Sequence, residues 1–205
     1  MAIVDATVAG GAGWTMTDLA ARFLDGGARL LQVRMKDTPS GLFLDVASAI
    51  VLEAHRAGAQ VIINDRADIA RLSGADGVHV GQEDLAPAAA RSIVGPDATV
   101  GLSTHTAGQL DVALREPVDY VAIGPVFGTA TKDTGYESVG LDRVRAVADR
   151  TRRRGMPLVA IGGITLDTAA DVIRAGATSV AVISDLVADA DPAARVRTYL
   201  ERLTL

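Results

Sequence analysis

The chain repeats one phrase. An amphipathic stretch closes on a glycine or another turn residue, a short run of β-branched and other apolar residues follows, and the run gives way to polar residues. Gly26 and Gly27 lead into residues 29–34, Gly58 into 60–64, Gly74 into 76–80, Pro117 into 119–124 and Gly176 into 178–183. A glycine just past a helical stretch is the expected C-cap, and the apolar run after it is the next buried strand. Residues 99–102 and 157–161 read as two more strands, and residues 2–4 as a short first one. The helical pattern falls on Met16–Asp25, Ser40–Ala57, Arg66–Ser73, Ala86–Val94, Thr106–Arg115, Leu141–Arg154, Leu166–Ala175 and Pro192–Leu203. Strands alternating with helices mean a parallel sheet with crossover helices. Eight such units predict a closed (β/α)8 TIM barrel; five or six would suit an open doubly wound sheet better. No linker or low-complexity stretch divides residues 1–205, so one domain is expected.

Composition narrows the class. Of 205 residues, 49% are hydrophobic but only 3% aromatic, so the core must be built from Val, Ile, Leu and Ala, as parallel α/β cores are. The net charge of -5 argues against a general nucleic-acid binder. The absence of cysteine excludes disulfides, thiolate zinc sites and a thiol nucleophile, and it suits a reducing cytoplasm. No run approaches about 18 apolar residues, and no basic start leads into an apolar stretch, so neither a membrane span nor a signal peptide is expected. A homo-oligomer is left open.

In a barrel of this kind chemistry sits at the C-terminal ends of the strands, and the unusual residues of this chain collect there. Gln32, Arg34 and Lys36 share one face of the second strand by alternation, while Leu31, Val33 and Met35 share the other. The apolar set should face the helices, so the polar set points into the barrel mouth. Buried cations need anionic partners, either barrel carboxylates or a bound polyanion held by the Arg fork and the Lys point charge. Asp65 and Asp84 follow the third and fourth strands. Each alone reads as a helix N-cap; together, on neighbouring strands, they suit Mg2+, which leans on one or two carboxylates plus substrate phosphates. Asn64, Ser103 and His105 stand at strand ends, with His105 as a base or a ligand-orienting group, whereas His79 reads as a satisfied core residue and His55 as a surface one. Thr129, Thr131 and Lys132 offer hydroxyl and ammonium donors after the sixth strand, and residues 133–140 form a lid or a plain solvated loop. Gly162 and Gly163 make either a tight turn or, with Ile183 and Ser184 after the eighth strand, a backbone phosphate site.

These motifs resemble the thiamine-phosphate synthase (thiamine-phosphate pyrophosphorylase) family from about Ala28 to the C-terminus. The matching segments are 32–36, 63–66, 77–84, 101–105, 124–132, 160–164 and 182–184, seven in order. The resemblance implies an enzyme, a transferase that couples 4-amino-2-methyl-5-(diphosphooxymethyl)pyrimidine to a thiazole phosphate and releases pyrophosphate, with Mg2+. It implies that Gln32, Arg34, Lys36, Asn64, Ser103 and Lys132 hold the pyrimidine diphosphate and that Asp65 and Asp84 bind Mg2+. Thr129, Thr131, Gly163, Ile183 and Ser184 would hold the thiazole phosphate, with His105 beside the ligands. Arg34, Lys36, Lys132 and Ser103 would then be the catalytic set. The family's first strand is longer and ends in Thr-Asp, whereas here the short stretch 2–5 ends in Val4 and Asp5, which leaves open what the first strand lends the site. Rival readings are a thiazole tautomerase using a histidine placed like His105, another phosphate-binding barrel such as a sugar-phosphate isomerase or epimerase, and a non-catalytic ligand-binding barrel. Retention of Gln32, Lys36, Asp65, Asp84 and Lys132 argues against the first, and the lack of a positioned acid/base pair against the second.

Overall fold

The computed structural model describes residues 1–128 and 135–203. Its strands are β1 (Ala2–Asp5), β2 (Leu30–Arg34), β3 (Gln60–Asn64), β4 (Gly77–Val80), β5 (Thr99–Thr104), β6 (Tyr120–Ile123), β7 (Leu158–Ile161) and β8 (Ser179–Ala181). All neighbours pair in parallel and in chain order. The sheet closes on itself: Ile3 N–H donates to Val182 O at 3.0 Å, and Val182 N–H donates to Met1 O at 3.1 Å. The predicted eight-stranded barrel is the observed one.

Helices α1 (Ala6–Gly11), α2 (Met16–Asp25), α3 (Ser40–Arg56), α4 (Ala67–Ser73), α5 (Pro87–Val94), α6 (Ala107–Ala113), α7 (Gly140–Arg152), α8 (Ala169–Arg174) and α9 (Pro192–Leu203) follow the strands. Local chemistry sets several of their ends. Thr15 Oγ1 accepts from Asp18 N–H to start α2, Thr106 and Gln109 form a capping box on α6, and Gly74 takes the left-handed conformation that stops α4. No helix among the described residues is long and apolar enough to cross a membrane.

Strand alternation sorts the apolar residues into two cores. Residues such as Val4, Leu31, Val33, Ile63, Val78, Val80, Val100 and Val121 face the helices and form the larger one. Ile3, Tyr120, Ala122, Val159 and Ala181 fill the barrel's interior. Met35 packs against the outer core, as alternation required.

Three local features depart from the sequence pattern. Ala6–Gly11 is helical although it carries no apolar stripe, because the Asp5 carboxylate accepts from Val8 N–H at 3.0 Å and caps it. The last strand ends at Ala181 rather than Ile183, and a 3-10 turn over Ser184–Val187 follows. Helix α8 begins at Ala169 rather than Leu166, because Thr168 Oγ1 accepts from Thr165 N–H at 3.0 Å and holds the preceding residues in a turn.

Candidate active site

The mouth of the barrel divides into two regions of different chemistry. The first lies over β1–β4. Asp5 and Arg34 are partners in the β1–β2 register, and their side chains form an ion pair. Asp5 is 2% exposed, so this is a buried pair. The question left by the first strand is thereby answered: its terminal carboxylate neutralises Arg34 and caps α1. Lys36 forms a second ion pair, with Asp65. Asp65 sits in the left-handed region at φ 64°, uncommon outside glycine, and its N–H donates to His79 O at 2.7 Å.

Asp65 and Asp84 come together. Burial pushes the Asp65 carboxyl above the usual carboxylate range, Lys36 pulls it down, and the neighbouring Asp84 pushes it up again. Asp84 Oδ2 in turn accepts from Gly81 N–H at 2.8 Å. Neither carboxylate serves as a helix cap: α4 and α5 both start without a side-chain cap bond. Two adjacent, mutually repelling carboxylates are a donor set suited to a hard divalent cation such as Mg2+. Among the described residues no group of three or more His, Cys, Asp or Glu side chains could hold a metal by itself. The pair therefore fits an ion whose coordination is completed by substrate oxygens and water.

Beneath this region Gln32, Arg34, Asn64, His79 and Ser103 line a small interior space of about 50 Å3 with Tyr120 and several apolar residues. Gln32 is 4% exposed and His79 7%. Both ring nitrogens of His79 have partners, as expected of a satisfied core histidine: Nδ1 lies 2.9 Å from the Tyr120 hydroxyl and Nε2 2.8 Å from Ser103 Oγ.

The second region is a cavity of about 720 Å3 over β5–β8, large enough for a small phosphorylated molecule. Ser103, His105, Gly163, Ile183 and Ser184 line it, as do Thr7 and Val8 from α1. Ser103, Ile161 and Ile183 also line the interior space, so the two are continuous. Gly162 and Gly163 have φ of 98° and 64°. A Cβ on Gly162 would lie 2.6 Å from Pro125 Cα, and one on Gly163 2.5 Å from Gly128 O. The loops after β6 and β7 touch there through bare backbone, and only glycine permits it. His105 Nδ1 donates to Gly124 O at 2.6 Å, and its ring stacks on Tyr136 at 4.1 Å. The Tyr136 hydroxyl is held by Gln109 Nε2 at 3.1 Å.

The turn after β8 is anchored from behind. Asp185 Oδ2 accepts from Leu166 N–H at 3.0 Å, Arg195 at 2.8 Å and the Tyr199 hydroxyl at 2.5 Å. One carboxylate oxygen thus ties the loop after β7, the 3-10 turn and α9 together.

The predicted residues Gln32, Arg34, Lys36, Asn64, Asp65, Asp84, Ser103, His105, Gly163, Ile183 and Ser184 therefore meet at one rim. Thr129, Thr131 and Lys132 lie outside the described residues, as does the start of the predicted lid. Sequence reasoning missed Asp5, Tyr120, Tyr136 and Asp185. Asp5 was legible as the residue before a turn-rich stretch; the others depend on partners far along the chain.

Comparison with known proteins agrees with this geometry. The family model described as thiamine monophosphate synthase matches residues 1–186, so the match includes the first strand. The chain is 46% identical over 189 residues to the thiamine-phosphate synthase of Koribacter versatilis, covering 92% of this chain and 87% of that relative. It is 42% identical over 201 residues to that of Methanoculleus marisnigri, covering 98% and 93%. Among solved structures, the thiamine phosphate pyrophosphorylase from Pyrococcus furiosus superposes with a TM-score of 0.88 at 26% identity, covering 98% of this chain and 93% of that one. The chain belongs to the thiamine monophosphate synthase family, transferases of thiamine biosynthesis built on a (β/α)8 barrel.

Proposed function

We propose that this chain joins a pyrimidine bearing a diphosphate to a thiazole monophosphate at the barrel mouth, yielding thiamine phosphate and pyrophosphate. The observation that carries the reading is the division of one continuous rim. Two cations and two clustered carboxylates stand on one side, and a glycine-lined, backbone-rich cavity stands on the other. A diphosphate leaving group suits the first, and a monophosphate the second.

The substitution is dissociative. The C–O bond to pyrophosphate breaks, its electron pair leaves with the diphosphate, and a pyrimidine-stabilised carbocation remains. The thiazole nitrogen then gives its lone pair to the new C–N bond. No proton is transferred, so the step needs no paired acid and base. Lys36 and Arg34 stabilise charge on the departing diphosphate. Gln32, Asn64 and Ser103 orient the pyrimidine diphosphate; Gly163, Ile183 and Ser184 hold the thiazole phosphate, and His105 lies beside both. Thr129 and Thr131 are assigned to the thiazole phosphate and Lys132 to the leaving group on the family resemblance. Asp65 and Asp84 would hold Mg2+, which when bound supplies further charge neutralisation at the diphosphate. A chain without cysteine suits the reducing cytoplasm.

The test is turnover by the purified chain with both phosphorylated precursors and Mg2+, followed as pyrophosphate release. Stoichiometric pyrophosphate and thiamine phosphate are expected, with none in excess EDTA. Absence of product with Mg2+ overturns the reading, and full activity in EDTA overturns the metal role of Asp65 and Asp84.

A further inference from the structure

Beneath the rim a three-residue chain runs across the barrel interior from Tyr120 through His79 to Ser103. Its geometry is built for it. Tyr120 pairs in register with Gly101, and a Cβ at Gly101 would collide with the Tyr120 ring. The barrel omits a side chain at 101 and seats the tyrosine there instead, 6% exposed and stacked on His79 at 5.5 Å.

The direction of the hydrogen bonds follows from what surrounds each atom. Tyr120 belongs to the barrel's interior core with Ile3, Ala122, Val159 and Ala181, and its hydroxyl is buried there. Its single hydrogen-bond partner among the described residues is His79 Nδ1, at 2.9 Å. A buried hydroxyl proton without an acceptor is costly, so the tyrosine donates and Nδ1 accepts. A neutral imidazole that accepts at one nitrogen carries its proton on the other. Nε2–H therefore donates to Ser103 Oγ at 2.8 Å. That bond occupies the serine as an acceptor. Its own proton then points away from His79, toward the space that Ser103 lines in both regions of the site.

We infer that Tyr120 and His79 act as a hydrogen-bond relay that fixes Ser103 as a donor toward an acceptor atom of the diphosphate substrate, with Tyr120 a positioning residue. The inference rests on the proposed function for the identity of that substrate, but not for the polarity of the relay.

The polarity is read without substrate. In the 15N-labelled, unliganded protein, long-range proton–nitrogen NMR correlations of His79, assigned by their loss in His79→Gln, are expected to show a protonated Nε2 and an unprotonated, accepting Nδ1. A protonated Nδ1 overturns the relay even if the synthase activity holds. Its consequence is read by kinetics. Tyr120→Phe keeps the stacked ring and removes the donor, and kcat/KM for the pyrimidine diphosphate is expected to fall about tenfold, the scale of one hydrogen bond. KM for the thiazole phosphate is expected to stay unchanged. In a Ser103→Ala background the same Tyr120→Phe change should have no further effect, because the group it positions is gone. An undiminished loss in that background would mean that Tyr120 acts only through packing, and it would overturn the proposal.

Discussion

Replacing Asp185 with Asn tests whether the turn after β8 is held from behind. The amide is isosteric, so cavity formation does not enter. All three donors, Leu166 N–H, Arg195 and the Tyr199 hydroxyl, converge on Oδ2. The Asp185 and Arg195 side chains are 14% and 19% exposed, so solvent replaces little of what is lost. If the amide oxygen takes the place of Oδ2, three bonds to a charged acceptor become bonds to a neutral one. Each such change is worth about 1 kcal/mol, because bonds to charged groups contribute about 1.5–3 kcal/mol and neutral ones about 0.5–1.5. Arg195 keeps its second partner, Asp189, at 3.0 Å, which limits the damage. The expected loss is about 2–3 kcal/mol, or about 5–10 °C in Tm for a chain of this size. Thermal unfolding followed by circular dichroism measures it, with Tyr199→Phe, which removes one donor, expected to fall between the variant and the parent. Steady-state kinetics measures the second consequence. A displaced 3-10 turn should raise KM for the thiazole phosphate by roughly tenfold or more, since misplacement by about 1 Å costs up to 10²-fold, while KM for the pyrimidine diphosphate stays put. A Tm within about 2 °C of the parent, with both KM values unchanged, would refute the reasoning.

Three further outcomes follow from the same geometry. Lys36→Ala or Arg34→Ala should lower turnover by roughly 10²-fold, the scale of removing one charge-stabilising donor; a near-parental rate of pyrophosphate release in either would remove that residue from the catalytic set. Gly163→Ala must place a Cβ 2.5 Å from Gly128 O at a φ of 64°, so kcat/KM should fall at least about tenfold, given a strain of about 1–3 kcal/mol, and an unchanged value would mean that the two loops do not meet in solution. Burial raises the hydroxyls of Tyr120 and Tyr199 above the ordinary phenol value. Since the folded values are raised, the stability they contribute is full below about pH 10 and is lost as pH climbs beyond it, where the unfolded chain can ionise and the fold resists. Urea unfolding at stepwise alkaline pH should show this decline, and a decline equally steep in Tyr120→Phe would remove Tyr120 as a cause.

The barrel was legible because its evidence is local. Each strand is a short apolar run, each helix has an amphipathic stretch, and the turn between them carries a glycine or a capping residue. The rim was legible for a related reason: Gln32 and Arg34 on one face of a strand, with Lys36 in the turn just past its end, cannot all be packing residues. What the sequence could not show is pairing at a distance. Asp5 and Arg34 are 29 residues apart, His79 and Tyr120 are 41 apart, and Asp185 takes donors 19 residues before it and 10 and 14 after it. Periodicity places a side chain on a face, but it does not say which residue stands opposite across a closed sheet. Ala6–Gly11 failed for the opposite reason, since its helix depends on one capping carboxylate and on no pattern of its own.

The two ion pairs at the rim are not equivalent, and their difference bears on how the site can be both stable and receptive. Arg34 is paired with a carboxylate that is 2% exposed and already committed to capping α1. Separating them would leave a buried charge without a partner, which costs several kcal/mol, so Arg34 enters the site as half of a fixed, nearly neutral unit that still presents its remaining N–H donors. Lys36 is 47% exposed and its partner Asp65 is 16% exposed, beside Asp84. Moving Lys36 toward a diphosphate exchanges one anionic partner for another at little desolvation cost. It also leaves two carboxylates facing each other, and Asp84 adds to burial in pushing the Asp65 carboxyl up. A divalent cation relieves that repulsion. On the proposed function the anion and the metal therefore favour each other's binding through Lys36 and Asp65, while Arg34 and Asp5 hold the frame in which that exchange takes place.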